Sequence, residues 1–187
     1  RTLTPSPLAL QWASQHQQDP RLIELVLRQS RRIVKMDRGV LITETHHGFV
    51  MANAGVDLSN VPGDDFATTL PRDPDASARR LHQALGCGAV IISDTFGRPW
   101  REGLINQAIG LSGLPPLEDL RQTPDAHGRP LRATILATAD ELAAAAGLVM
   151  RKTARTPAVL ISGFPFTPAP DASARPLLRP PARDLFR

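Results

Sequence analysis

The chain has no tyrosine, one cysteine and only 4% aromatic residues, and each shortage removes a class of function. Cys87 alone cannot close an internal disulfide, and no cysteine cluster exists to hold a structural zinc, which fits a reducing, cytoplasmic setting. So few aromatic rings leave little on which nucleic-acid bases could stack. Nothing approaches the ~18 consecutive apolar residues of a membrane span, and Arg1-Thr-Leu-Thr is not the charged patch and apolar core of a secretion signal. The expectation is a soluble chain with no membrane partner. Lysine is almost missing as well: of 22 basic residues only Lys35 and Lys152 are lysine. Against 18 acids the net charge is +4, and the segment from Pro165 supplies +2 of it, through Arg175, Arg179, Arg183 and Arg187 against Asp171 and Asp184. The remaining body is too nearly balanced for a phosphate-tracking stripe, so nucleic acid is not an expected partner.

What is present suffices for one core or two small cores sharing an interface: 187 residues, 42% hydrophobic. Pro5 to His16 reads as a short helix. Asp19-Pro20 reads as an N-cap and first-turn proline, and Leu22, Ile23, Val26, Leu27, Ile33 and Val34 then recur at helical spacing up to about Lys35. Val40 to Thr45 and the run from Phe49 predict two antiparallel strands joined by a turn at His46-His47-Gly48. Asp73-Pro74-Asp75 opens a helix through Leu85. Gly88 to Ser93 has the profile of a buried central strand delivering Asp94 at its end. Leu131 to Ala137 reads as a strand, and Thr138-Ala-Asp-Glu141 as a capping box before an Ala-rich helix to Met150. Pro157 to Ser162 predicts a last strand. The fold class is α+β, with mixed or antiparallel sheets and packed helices. A body over residues 1–164 precedes a Pro/Arg-rich arm over 165–187, whose six prolines in 23 residues forbid a helix or a ladder.

Familiar catalytic motifs are missing. There is no G-x-x-x-x-G-K-[ST], and Gly110-Leu-Ser-Gly113 misses the nucleophile-elbow spacing by one residue. Two polar clusters stand out instead. Asn53-Ala-Gly-Val-Asp57-Leu-Ser-Asn60 follows an apolar strand and offers oxygen ligands and amide donors. Ser93-Asp94-Thr95-Phe-Gly97-Arg98-Pro-Trp100-Arg101 opens where another strand ends. Hard cations such as Mg²⁺ or Mn²⁺ take carboxylate and hydroxyl oxygens plus substrate phosphate, and two aspartates from separate strands meeting round one pocket would satisfy that demand. Arg98 and Arg101 are candidate anion contacts. The same residues also read as Asx turns and loop caps. His46 and His47 belong in a turn, Asp73 and Asp75 cap a helix, Cys87 is a small buried filler, and Trp12 fits a helix core. Trp100 would line a planar ring or a dimer contact.

The stretches "ANAGVDLSN", "LPRDPDASARRL", "SDTFGRPWREG", "AIGLSGL" and "ADELAAAAGLVM", in this order, and the terminal "RDLFR", resemble the coenzyme F-420 γ-glutamyl ligase family. The resemblance implies a GTP-dependent ligase that joins L-glutamate to a phospholactyl deazaflavin precursor through an acyl phosphate. It implies Mg²⁺ or Mn²⁺, often K⁺, and an intertwined homodimer. Residue by residue, Asp57 matches the family's first metal aspartate, Asp94 and Thr95 its second metal pair, and Asn60 its nucleotide-contacting asparagine; Lys152 falls at a nucleotide-contacting lysine. The chain departs from the pattern in three ways. A family N-terminal portion is expected before Arg1, Arg151 stands where relatives commonly have glycine before that lysine, and Gln122 and Ser162 replace a usual glycine and arginine. A noncatalytic relative, keeping the fold for nucleotide or metal binding or for assembly, is the alternative expectation.

Overall fold

The computed structural model describes residues 3–63 and 65–184; Asp64 of the acidic loop and the last three residues of the RDLFR ending lie outside the described residues. The chain divides into two compact units, Arg1–Arg72 with Phe96–Gly103, and Asp73–Thr95 with Leu104–Arg187. Each has its own apolar core. Among the described residues no helix is long and apolar enough to cross a membrane.

In the first unit, helix α1 (Pro7–His16) starts where the Ser6 hydroxyl oxygen accepts the Ala9 N–H, with proline at its first position. Helix α2 (Pro20–Gln29) repeats the device with Asp19, whose carboxylate accepts the Arg21 N–H at 2.7 Å. The predicted continuation of α2 to Lys35 is overturned. Ser30 donates its hydroxyl back to the Val26 carbonyl at 2.6 Å, and the chain continues through β-branched Ile33-Val34 as strand β1 (Ser30–Asp37). Arg31 and Arg32 therefore lie on a strand, where both reach Glu44, which is buried. Strand β2 (Val40–Thr45) pairs antiparallel with β1 and with β3 (Val50–Ala52), in the register Thr43 opposite Met51, so the predicted hairpin is present. Its core joins Ala9, Ala13, Ile23, Val26, Leu41 and Ala54, with Trp12 packed against them as expected. His46 and His47 sit in the turn, their Nε2 atoms at 3.0 Å from the Arg28 carbonyl and 2.9 Å from the Pro71 carbonyl.

The second unit carries helix α3 (Pro74–Leu85), capped by Asp73 and ended by Gly86 in the left-handed conformation. Strands β4 (Val90–Arg98) and β5 (Arg101–Ser112) form a two-stranded sheet joined through Pro99 and Trp100. The buried central strand expected at Gly88 to Ser93 is therefore corrected: among the described residues β4 has one partner, and its residues are mostly half-buried. Short strands β6 (Glu118–Asp119) and β7 (Ile135–Leu136) pair, so only two residues of the expected 131–137 strand form a ladder. Helix α4 (Thr138–Met150) begins one residue early for a capping box. Its N-cap is Ala137, which makes no side-chain cap bond, and Thr138 is already helical. Pro157 to Ser162 lies in no strand, and Leu160 is 84% exposed. Cys87 is half-buried, its thiol donating to the Ala89 carbonyl, and does not fill a core.

Two carboxylates hold this unit together. Oδ1 of Asp75 accepts the Leu111 N–H of β5 at 2.9 Å and the Ala174 N–H of the C-terminal arm at 3.0 Å. Oδ1 of Asp140, on α4, accepts the Ala108 N–H of β5 at 2.9 Å. A buried backbone donor needs a partner, and among the described residues β5 has a ladder partner on one side only. The helix-capping expectation thus holds for Asp73, while Asp75 reaches across to β5 and the arm. Gly110 allows this approach: a Cβ there would stand 2.4 Å from the Pro74 carbonyl carbon. The arm completes the core, Ala174 packing with Ala108, Leu111 and Ala139, and Ala169 donating to the Gly113 carbonyl at 2.9 Å.

Asp75→Ala strips the acceptor from two buried N–H groups and should cost about 2–4 kcal/mol in denaturant unfolding, whereas Asp75→Asn, which keeps an oxygen, should cost less. In the first unit the Arg28 guanidinium, with the Ser6 N–H, holds the Glu24 carboxyl down from 4.5 to about 2. A lowered acid pKa stabilises the fold in full above about pH 4.5 and loses that contribution as pH falls toward 2. Arg28→Ala should therefore move the acid-unfolding midpoint, followed by circular dichroism, to higher pH.

Candidate functional site

The first polar cluster is built on a left-handed stretch. Asn53, Ala54 and Gly55 have φ of 50°, 52° and 70°, a conformation natural to asparagine and glycine and costly for alanine. Ala54 is held there by burial, and Asn53 by accepting the Leu41 N–H on its side-chain oxygen. Asp57 then exchanges backbone hydrogen bonds with Thr68 at 3.1 and 2.8 Å. Its carboxylate accepts the Ser59 N–H at 2.8 Å and the Ser59 hydroxyl at 2.6 Å, an Asx turn at the surface. Asn60 follows, exposed and left-handed at φ 56°. The turn reading and the ligand reading of Asp57 are compatible, because a carboxylate that accepts turn hydrogen bonds is the same donor type that a hard cation takes.

The second cluster lies on the hairpin. Asp94 and Thr95 are half-buried neighbours on β4, and successive strand residues leave opposite faces, so their side chains suit two ions better than one. The Thr95 hydroxyl donates to Oδ1 of Asn106 at 2.8 Å. Arg98 Nη2 donates to the Glu102 carbonyl at 3.1 Å, while its Nε is buried without a hydrogen-bond partner. Arg101 is exposed, and Trp100 is 77% exposed at φ 57°. Lys152 is exposed just beyond α4. Asp57, Asn60, Arg98 and Arg101 thus belong to the first unit, and Asp94, Thr95 and Lys152 to the second.

Among the described residues no group of three His, Cys, Asp or Glu side chains could hold a metal unaided. Taken one by one, the Asp57 and Asp94 carboxylates and the Thr95 hydroxyl are the hard-oxygen donors that a divalent ion takes alongside water and phosphate oxygens. Asn106, Asp75 and Asp140 did not register as functional in the sequence. The one local signal is the alternation Asn106, Ala108, Gly110, which marks a strand face kept small and polar. Desolvation raises the Asp140 carboxyl above its ordinary 3.8, with the Ala108 N–H opposing.

The F420-0:gamma-glutamyl ligase family model matches residues 1–163, and the chain belongs to that family. It is 48% identical over 192 residues to a coenzyme F420:L-glutamate ligase of Methanothermobacter thermautotrophicus, covering 99% of this chain and 76% of the relative. The corresponding enzyme of Methanopyrus kandleri is 44% identical over 198 residues (99% and 77%), and that of Methanocaldococcus jannaschii 39% over 191 residues (99% and 76%).

The two glycine departures fall on positions of positive φ. Gln122 has φ 72°, and Arg151 has φ 49° with ψ 173°, a region in which only glycine is at ease. Arg151→Gly should therefore raise stability by about 1 kcal/mol in denaturant unfolding, against the usual loss on introducing glycine. An unchanged or lowered midpoint would show that Arg151 is held by compensating contacts.

Proposed function

We propose that this chain is a coenzyme F420:L-glutamate ligase, dependent on GTP and on Mg²⁺ or Mn²⁺, with K⁺ as a further ion. It would form an amide bond between L-glutamate and the deazaflavin precursor. The observation that carries the reading is the 48% identity to an enzyme of that name over 99% of this chain. The hard-oxygen donors of the two clusters support it chemically.

A carboxylate is a poor electrophile, so amide formation needs its oxygen turned into a leaving group. In the proposed route the γ-phosphoryl group of GTP passes to a carboxylate oxygen of the acceptor and GDP leaves. The amine of glutamate then attacks the acyl carbon, the C–O bond to phosphate breaks, and inorganic phosphate departs with that oxygen. Asp57 in the first unit, and Asp94 and Thr95 in the second, are the residues that would hold divalent ions through carboxylate and hydroxyl oxygens. Such ions would supply neutralisation of the charge that gathers on the transferred phosphoryl group. The Asn60 amide contacts the nucleotide, and the Lys152 ammonium faces its phosphates. Arg98 and Arg101 hold the anionic acceptor, for which paired guanidinium N–H groups suit phosphate and carboxylate alike. We assign the active form as an intertwined homodimer in the cytoplasm; exposed Leu148 (79%) and Val149 (60%) on α4 support a covered apolar face.

Incubation with GTP, Mn²⁺, glutamate and the deazaflavin acceptor should release phosphate and add one or more glutamyl masses to the acceptor. Asp57→Asn and Asp94→Asn should each lower kcat/KM by roughly a thousandfold, since several kcal/mol of charge stabilisation is at stake. Stability should change little for Asp57→Asn, whose oxygen still accepts the Ser59 N–H. Absence of product across Mg²⁺, Mn²⁺ and K⁺ would favour a noncatalytic relative.

A further inference from the structure

The Asn106 side chain touches both the candidate ligand strand and the end of α4. Its Oδ1 accepts the Thr95 hydroxyl at 2.8 Å. Its Nδ2 stands 3.9 Å from Sδ of Met150, the last residue of α4. Gly147 of α4 leaves the room for it: a Cβ at that position would lie 3.0 Å from the Asn106 Cγ and 3.1 Å from Nδ2. The Thr95 hydroxyl has one proton, and giving it to Asn106 turns both oxygen lone pairs away from that bond and leaves them available to a cation. An amide can fix this orientation because its oxygen only accepts.

We propose that Asn106 is a positioning residue. It holds the Thr95 hydroxyl in the orientation that presents lone pairs to a cation, and it sets the spacing between β4 and the last turn of α4, from which Lys152 follows. This rests on the reading of Asp94 and Thr95 as metal ligands. Groups that orient metal ligands typically change metal affinity by 10- to 100-fold when removed, although they never touch the ion.

The test is Mn²⁺ binding to the full chain, read from the loss of the free-ion electron paramagnetic resonance signal, with unfolding midpoints measured alongside. Asp94→Asn and Thr95→Val should each weaken Mn²⁺ binding. Asn106→Ala should weaken it about tenfold in the native background and less than about twofold in the Thr95→Val background, because its effect passes through that hydroxyl. Should Asn106→Ala fail to fold, Asn106→Ser takes its place in the same cycle. Gly147→Ala adds an independent arm. Its helix is favoured by alanine, so the midpoint should hold or rise, while crowding of Asn106 lowers Mn²⁺ affinity. Equal effects of Asn106→Ala in both backgrounds, or none in the native one while Thr95→Val weakens binding, would overturn the positioning role. Unchanged binding in both Asp94→Asn and Thr95→Val would instead overturn the metal reading beneath it.

Discussion

One carboxylate oxygen, Oδ1 of Asp75, takes N–H groups from Leu111 of β5 and Ala174 of the arm, and the second unit depends on this three-way joint. A strand with a partner on one side only leaves backbone donors that must be answered elsewhere. Here the answers come from acids at the starts of α3 and α4: Asp75 and Asp140 turn helix beginnings into braces for β5. Gly110 is the counterpart of that bracing, since a side chain there would drive α3 off the strand. With β5 fixed, Asn106 has a defined place, and so does the Thr95 hydroxyl bound to it.

The candidate chemistry follows from donor type. In the proposed reading carboxylates and a hydroxyl suit hard ions, whose remaining positions would be filled by water and by the phosphate oxygens of a triphosphate co-substrate. Membership of the ligase family rests on coverage of nearly the whole chain, and the local geometry adds physical reasons for individual residues. Asn53 is an asparagine because a left-handed backbone and the Leu41 N–H both call for one. Arg151 and Gln122 stand on backbone that glycine would occupy without strain.

Much of the fold was legible where the deciding chemistry is local. Asp19-Pro20 and Asp73-Pro74 start helices because cap and first proline lie side by side in the chain, and Ser6-Pro7 does the same two residues after the helix start read at Pro5. The β2–β3 hairpin was legible for the same reason. Reading failed where a distant partner decides. The apolar spacing through Val34 fits a helix, yet pairing with β2 and the Ser30 hydroxyl make it a strand. Glycine-bearing β5 gave no strand pattern, because its regularity comes from β4 and from two acids far along the chain. Thr138 to Glu141 had the composition of a capping box, but Asp140 is drawn to Ala108 and the helix begins a residue earlier. Of the candidate site, Asp57, Asn60, Asp94, Thr95, Arg98, Arg101 and Lys152 were nameable from motifs. Asn106 was not, because its role depends on a cross-strand neighbour and on a glycine in α4.

The central claim, that the chain activates a carboxylate for amide formation, is tested most directly by following oxygen. Acceptor carrying a heavy-oxygen label in its terminal carboxylate is turned over with GTP, Mn²⁺ and glutamate, and the released phosphate is examined by mass spectrometry. The account predicts one labelled oxygen in each phosphate, in step with amide formed. Unlabelled phosphate accompanying amide product would contradict it.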